Sequence, residues 1–235
     1  MHIFYTPDIH RSDYYTLSEE ESKHCVRVLR LKEDDAVQLI DGRGNLYQCR
    51  IDHPDQRKCS VVIEKVVTAY NKRNFYLHIA IAPTKNIDRF EWFLEKAVEI
   101  GVDEITPLLC TRSERTTVKP GRFERVIIAA MKQSLVAQKP VLNSMTKFND
   151  FISRRIPEMH NYIAHCDEGQ RDLINNHYRK GQQAEILIGP EGDFTPAEID
   201  LAIRNHYLPV TLGSNRLRTE TAGVMSCGIF NFLNQ

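Results

Sequence analysis

A change of hydrophobic period near residue 75 constrains this chain most. Before it, short apolar runs alternate with polar residues. Beyond it, solid apolar runs are followed by stretches with helical spacing. "FYLHIAIAP" (75–83) is almost uninterrupted, as a strand covered on both faces requires. "DRFEWFLEKAVEIG" (88–101) then sets Phe90, Phe93, Leu94, Ala97 and Ile100 on one helical face and ends in Gly101, a helix-stopping position. Further strands are expected at 104–110, 161–166, 185–189 and 208–213. Helices are expected near 122–138, 196–206 and 219–233. Repeated strand–helix units predict an α/β domain with a largely parallel sheet and right-handed crossovers.

The first 70 residues read differently. "AVQLIDGRGNLYQCRI" (36–51) is two alternating runs around a glycine-rich turn, a hairpin signal. Gly42 and Gly44 lack the third glycine and the βαβ setting of a phosphate loop. "KCSVVIEKVV" (58–67) is another strand, and "SEEESKHCVRVLR" (18–30) a short helix with an acidic first turn. His24, Arg27, Arg30 and Lys32 make a small basic cluster at its far end. A solvated helix face gives the same pattern. A small β-barrel with one basic edge also suits RNA. The polar stretch "TAYNKRN" (68–74) marks the boundary, so the expected domains are 1–70 and 74–235.

Thirty-one basic residues balance thirty-one acidic ones, so any nucleic-acid surface has to be local. Besides Arg27 and Arg30, candidate contacts are Arg112, Arg115, Lys119 and Arg122 in "TRSERTTVKPGR". The six cysteines form no C-x-x-C and no metal spacing with histidine, so no metal is expected. "MHIFYTPDIH" does not read as a signal peptide and no run approaches a membrane span. The expectation is a cytoplasmic protein.

Two stretches follow expected strands and so fall where open parallel sheets bind ligands. In "LIGPEGDF" (187–194), Gly189 and Gly192 permit positive φ and close backbone approach. Glu191 is placed to accept from ribose hydroxyls or from nearby donors. Thr195, Pro196 and Glu198 then form a helix start. In "LGSNRLRTETAG" (212–223), Arg216, Arg218 and Glu220 stand in an apolar neighbourhood. Such charges need a partner or a ligand, and an Arg218–Glu220 structural pair is the plain alternative. The two strands that lead into these loops are expected to be neighbours. No P-loop, nucleophile elbow or H-E-x-x-H is present, which favours group transfer from an activated donor.

These residues resemble the ribosomal RNA small subunit methyltransferase E family of the SPOUT superfamily. The likeness rests on "LIGPEGDF…AEI" followed by "LGSNRLRTETA", with "HCVRVLR", "KNIDRFEWFLEKAVEIGVDEITPL" and "AAMKQS…KP" in support. It covers nearly the whole chain. One departure is Asp193, where the family usually has glycine. Another is the absence of an arginine around residues 135–137.

The resemblance implies a SPOUT-type parallel sheet with a C-terminal trefoil knot, preceded by a PUA-like β-barrel. It implies a homodimer that uses S-adenosylmethionine to methylate N3 of a uridine in 16S ribosomal RNA, within an assembled 30S particle. Cofactor contacts would come from Leu187, Ile188, Gly189, Glu191, Gly192, Leu212, Gly213, Asn215 and Leu217. Arg218 would stabilise charge on the uracil, with Glu220 or Glu191 as orienting group or proton acceptor. A SPOUT enzyme acting on a ribose 2′-oxygen or on tRNA, and a non-catalytic ribosome assembly factor, are the competing readings.

Overall fold

Residues 2–10, 12–154, 156, 158–167 and 171–235 are described by the structure, a computed structural model. The chain divides into two compact units. The first is Met1–Lys72 with Met131–Lys139, and the second Arg73–Ala130 with Pro140–Gln235. The segment Met131–Lys139 therefore clusters with the first unit, whereas the sequence alone puts it in the second.

In the first unit, β1 (His2–Tyr5), β2 (Tyr14–Thr16), α1 (Glu19–Lys23), β3 (Ala36–Ile40), β4 (Leu46–His53) and β5 (Ser60–Val67) follow in turn. Among the described residues the strands form one sheet in the order β1-β3-β4-β5-β2. β1 runs parallel to β3 and the other pairs are antiparallel. The hairpin closes as its alternation predicts, with Gly42 at φ 74° and Gly44 at φ 89°. Register shifts between β4 and β5 curl the sheet around Phe4, Leu39, Cys49 and Val61. The helix expected over 18–30 is broken. Ser18 caps α1, a π-helical turn follows over His24–Val28, and Arg30 leaves at φ 57°.

The second unit contains β6 (Tyr76–Ile81), α2 (Ile87–Ile100), β7 (Glu104–Leu109), α3 (Pro120–Ser134), β8 (Val141–Leu142), β9 (Thr146–Lys147), α4 (Phe148–Ser153), β10 (His160–Ala164), β11 (Asp172–Leu173), β12 (Gln183–Ile188), α5 (Pro196–Arg204), β13 (Leu208–Thr211) and α6 (Thr219–Leu233). The end of α3 lies in the segment assigned to the first unit. Among the described residues the sheet order is β11-β13-β10-β12-β6-β7-β8, with β9 on β7, and every pairing is parallel.

Apolar side chains cover both faces, which explains the unbroken apolar strands. Ile79, Ile81, Ile186 and Ile188 pack with Phe93 of α2 and Phe230 of α6. Ala80 and Leu187 pack on the other face with Phe151, Ile199 and Ala202 of α4 and α5. Near the strands' amino ends, His78 Nδ1 lies 2.7 Å from Glu185 Oε2. Arg154 reaches the same carboxylate at 3.1 Å. This buried charge is paired at the end of the sheet opposite the two loops.

Two further expectations are corrected. α3 ends at Ser134, and Leu135 at φ 58° turns the chain out of helix. β12 and β13 are not neighbours, because β10 runs between them. Pattern along a chain does not encode which parallel strand inserts beside which.

Candidate active site

The strand order decides what stands at the carboxyl edge. The loops after β12 and β13 flank the end of β10, and the three together line a cavity of about 660 Å³. Of the residues expected to hold a cofactor, Ile188, Gly189, Glu191, Leu212, Gly213, Asn215 and Leu217 line it. Leu187 does not. Strand alternation turns its side chain into the core on the opposite face. Gly192 is also outside the lining. It packs on Arg112, whose Nη1 donates to the Gly192 carbonyl at 2.8 Å.

The first loop works differently from its glycine-based reading. Gly189 and Gly192 do not have positive φ; that conformation falls on Asp193, at φ 61°. Aspartate tolerates the left-handed region because its short side chain bonds locally. Here Oδ1 accepts from the Phe194 N–H at 2.8 Å and Oδ2 from the Cys166 N–H at 2.7 Å. A carboxylate thus offsets the strain that glycine would avoid, and it ties the loop to the end of β10. Gly189 is needed for space, since a Cβ there would meet the Phe194 ring at 3.1 Å. Glu191 is exposed and accepts from the Lys85 N–H at 2.8 Å. In the second loop Gly213 holds φ 143° with open space where a side chain would stand.

Arg218 is the N-cap residue of α6 and is exposed. The Arg218–Glu220 pair is not formed. Glu220 is 6% exposed, and its nearest recorded cation is Arg89 of α2, Nε to Oε1 3.9 Å. Its Oε2 is buried without a hydrogen-bond partner. Thr219 donates to the Gly189 carbonyl at 3.0 Å, which joins α6 to the first loop.

Arg218 also lines a second, more open cavity of about 630 Å³ with Arg89, Trp92 and Glu220. Arg89, Arg216, Leu217 and Arg218 border both cavities.

Two residues of this edge escape the sequence reading. Arg89 sits in an ordinary helical pattern. His165 follows β10 and is 8% exposed, and both ring nitrogens are buried without a partner. Burial and then the Arg171 charge depress its pKa, against Asp193 and Asp167. Nothing in "AHCDEG" signals it, because its setting depends on the strand order.

Three of the six cations expected to contact RNA are engaged. Arg112 donates to the carbonyls of Gly192 and Phe194. Arg115 Nε donates to the Thr84 carbonyl at 3.0 Å. Arg122 pairs with Asp88 at 3.1 Å and Glu91 at 2.8 Å. These three brace the edge of the site. Lys119, Arg27 and Arg30 are exposed.

A parallel α/β unit with a cavity at its carboxyl edge, and a small curled β unit before it in the chain, place the protein in the two-part α/β class whose ligands bind at the strand ends. The chain belongs to the RNA methyltransferase family: that domain's model matches residues 71–231, and the RNA methyltransferase PUA domain matches 17–64. It is similar to the ribosomal RNA small subunit methyltransferase E of Aquifex aeolicus, 27% identical over 95% of this chain and 96% of that one. A probable rRNA-methyltransferase from Porphyromonas gingivalis is 41% identical with a TM-score of 0.93, covering 100% of this chain and 98% of that one. A methyltransferase from Legionella pneumophila, solved with the bound cofactor SAM, is 26% identical with a TM-score of 0.88 and covers 99% and 97%. The resemblance seen in the motifs is borne out. Among the described residues, no helix is long and apolar enough to cross a membrane.

Proposed function

We propose that the protein is an S-adenosylmethionine-dependent methyltransferase of small-subunit (16S) ribosomal RNA, and that its target is N3 of a uridine. The observation that carries this reading is the pair of adjoining cavities with Arg218 on their shared border and the Glu220 carboxylate, beside Arg89, lining the second.

The first cavity suits the cofactor. Ile188, Val210, Leu212 and Leu217 offer apolar surface for a flat base. The backbone at Gly213 leaves room for close approach, and His165 lines the same cavity. S-adenosylmethionine would supply a methyl carbon already activated on sulfonium, the electron pair of the broken C–S bond staying with sulfur.

The chain's own residues then have two tasks. Uracil N3 must give up its proton before its electron pair can form the new N–C bond. The Glu220 carboxylate, which lines the second cavity, is the acceptor for that proton, whereas Glu191 is exposed and one of its oxygens takes the Lys85 N–H. Charge left on the uracil oxygens is met by the Arg218 guanidinium, a planar fork of donors.

The exposed Met225 and Phe232 on α6, with Trp92 and Ile100 on α2, support a homodimer. The trefoil knot that the resemblance implies belongs to the same reading. Arg27, Arg30 and Lys119 are the remaining candidates for RNA phosphates, with an assembled 30S particle as the substrate.

Arg218→Ala tests the reading. The expected outcome is a hundred- to a thousandfold slower methyl transfer, about 3–4 kcal/mol, with unchanged cofactor affinity and melting temperature. Turnover, calorimetry and thermal melting on one sample check it. Full turnover would remove Arg218 from the reaction.

A further inference from the structure

We propose that Asp193 is a positioning residue for the cofactor: its carboxylate latches the loop after β12 to the end of β10, and this latch holds two walls of the first cavity at the separation the cofactor needs. This rests on the methyltransferase reading and adds to it the residue that sets the cofactor wall in advance.

The two walls come from neighbouring strands. His165 and Cys166 line the cavity from beyond β10, and Gly189, Pro190 and Asp193 line it from beyond β12. The sheet joins these strands as far as Ala164 and Ile188, the last pair in register. Past that rung a side chain makes the joint. Asp193 Oδ2 accepts from the Cys166 N–H at 2.7 Å.

The loop around Asp193 is fixed from several sides. The Asp193 N–H donates to the Pro190 carbonyl at 2.9 Å and closes the turn. Oδ1 accepts from the Phe194 N–H at 2.8 Å. The carbonyls before and after Asp193, those of Gly192 and Phe194, accept from Arg112 Nη1 at 2.8 and 3.2 Å. Arg112 follows β7, so a guanidinium holds one side of the loop and the Cys166 N–H the other. Asp193 stands at φ 61°. A residue other than glycine persists there only when its surroundings over-determine it, and such residues cluster at ligand clamps. A loop already ordered loses less entropy when a ligand binds, so the latch raises affinity.

Two other roles for the carboxylate lead to different outcomes. A counter-charge for the sulfonium would act on S-adenosylmethionine and not on S-adenosylhomocysteine, whose sulfur is uncharged. A merely structural residue would change affinity only in step with stability.

Full-length Asp193→Gly, Asp193→Ala and Asp193→Asn are compared with the wild type. Glycine loses the latch and relieves the left-handed backbone, whereas alanine loses the latch and keeps the strain. Asparagine tolerates the conformation, and its single amide oxygen can meet one of the two N–H groups. Calorimetry gives the affinity for S-adenosylmethionine and for S-adenosylhomocysteine, and thermal melting gives stability. Methyl transfer to small-subunit ribosomal particles gives KM for S-adenosylmethionine and kcat.

Asp193→Gly and Asp193→Ala are both expected to bind either form of the cofactor about tenfold more weakly, as loss of a charge-assisted bond implies. The alanine variant should melt lower than the glycine variant. KM should rise by about the same factor, with kcat within about twofold of the wild type. Asp193→Asn should fall between these and the wild type. Affinity then follows the latch while stability follows the backbone. If Asp193→Ala does not fold, the other two variants decide.

Wild-type affinity and KM in Asp193→Gly would show that the latch is dispensable and overturn the proposal. A loss confined to the sulfonium form would make Asp193 a counter-charge, which also overturns it. So would an affinity that falls only in step with melting temperature. If the wild type itself binds neither form, the methyltransferase reading fails instead.

Discussion

Single residues at the carboxyl edge carry roles set by their surroundings. His165 is the clearest case, with an imidazole buried beside Arg171 and no partner for either nitrogen. Its pKa is depressed from 6.5, so the folded protein takes up this proton less readily than the unfolded chain does. Stability from this group is whole above about pH 6.5 and is lost as pH falls through the folded value. His165→Leu removes the effect. The difference in melting temperature between pH 7 and pH 5 is expected to be smaller in the variant than in the wild type. Thermal melting at both values checks it, and equal differences would show that His165 is not penalised on protonation.

Asp193 makes a related point. The residue that departs from the family's glycine occupies the left-handed conformation and recovers two hydrogen bonds by doing so. The substitution was visible in the sequence. Its compensation was not, because the Cys166 N–H arrives from beyond the end of β10.

Among the elements, α6 links core and site. Its first turn holds Arg218, Thr219 and Glu220, and its middle lies close against α2 and β6. A Cβ on Gly223 would stand 2.6 Å from the Phe93 ring and 2.8 Å from Ile81 Cδ1. Glycine is a poor helix former, so here the space decides. Gly223→Ala is expected to cost about 1–3 kcal/mol through overpacking, outweighing the roughly 1 kcal/mol that alanine gains in helix propensity. A lower midpoint in urea at unchanged slope is the expected reading. A rise in stability would mean that Phe93 moves aside freely. The small, apolar character of this helix was legible from 222 to 233; which glycine touches which ring was not.

At the scale of the whole molecule, two surfaces are open to test. Phe232 is 73% exposed on α6, unusual for its side chain. If α2 and α6 meet a second copy of the chain, Phe232→Asp buries a charge in that interface and shifts the protein toward monomer. Light scattering at micromolar concentration distinguishes the two, and a monomeric wild type would remove the homodimer. The second surface is basic. Because Arg112, Arg115 and Arg122 are engaged in bracing the site, the exposed Arg27 and Arg30 are the stronger candidates for phosphate contact. Removing both is expected to lower the salt-dependence slope of RNA binding by about one to two units. An unchanged slope would place the RNA on another face.

The sequence by itself determined the parallel α/β class, the hairpin around Gly42 and Gly44, the capped start of α5 at Thr195, and the two loops that border the site. Each of these is local: a hydrophobic period, a turn chemistry or a cap, all written within a dozen residues. The tertiary structure decided the rest. It inserted β10 between β12 and β13, brought His165 to the edge between their loops, turned Leu187 away from the cavity, and set Arg89 rather than Arg218 beside Glu220. Those outcomes depend on which strand lies next to which and on how helices cross them. Contacts between residues tens of positions apart, as in Tyr162 with Ile186, or more than a hundred, as in Arg89 with Glu220, leave no period in the chain.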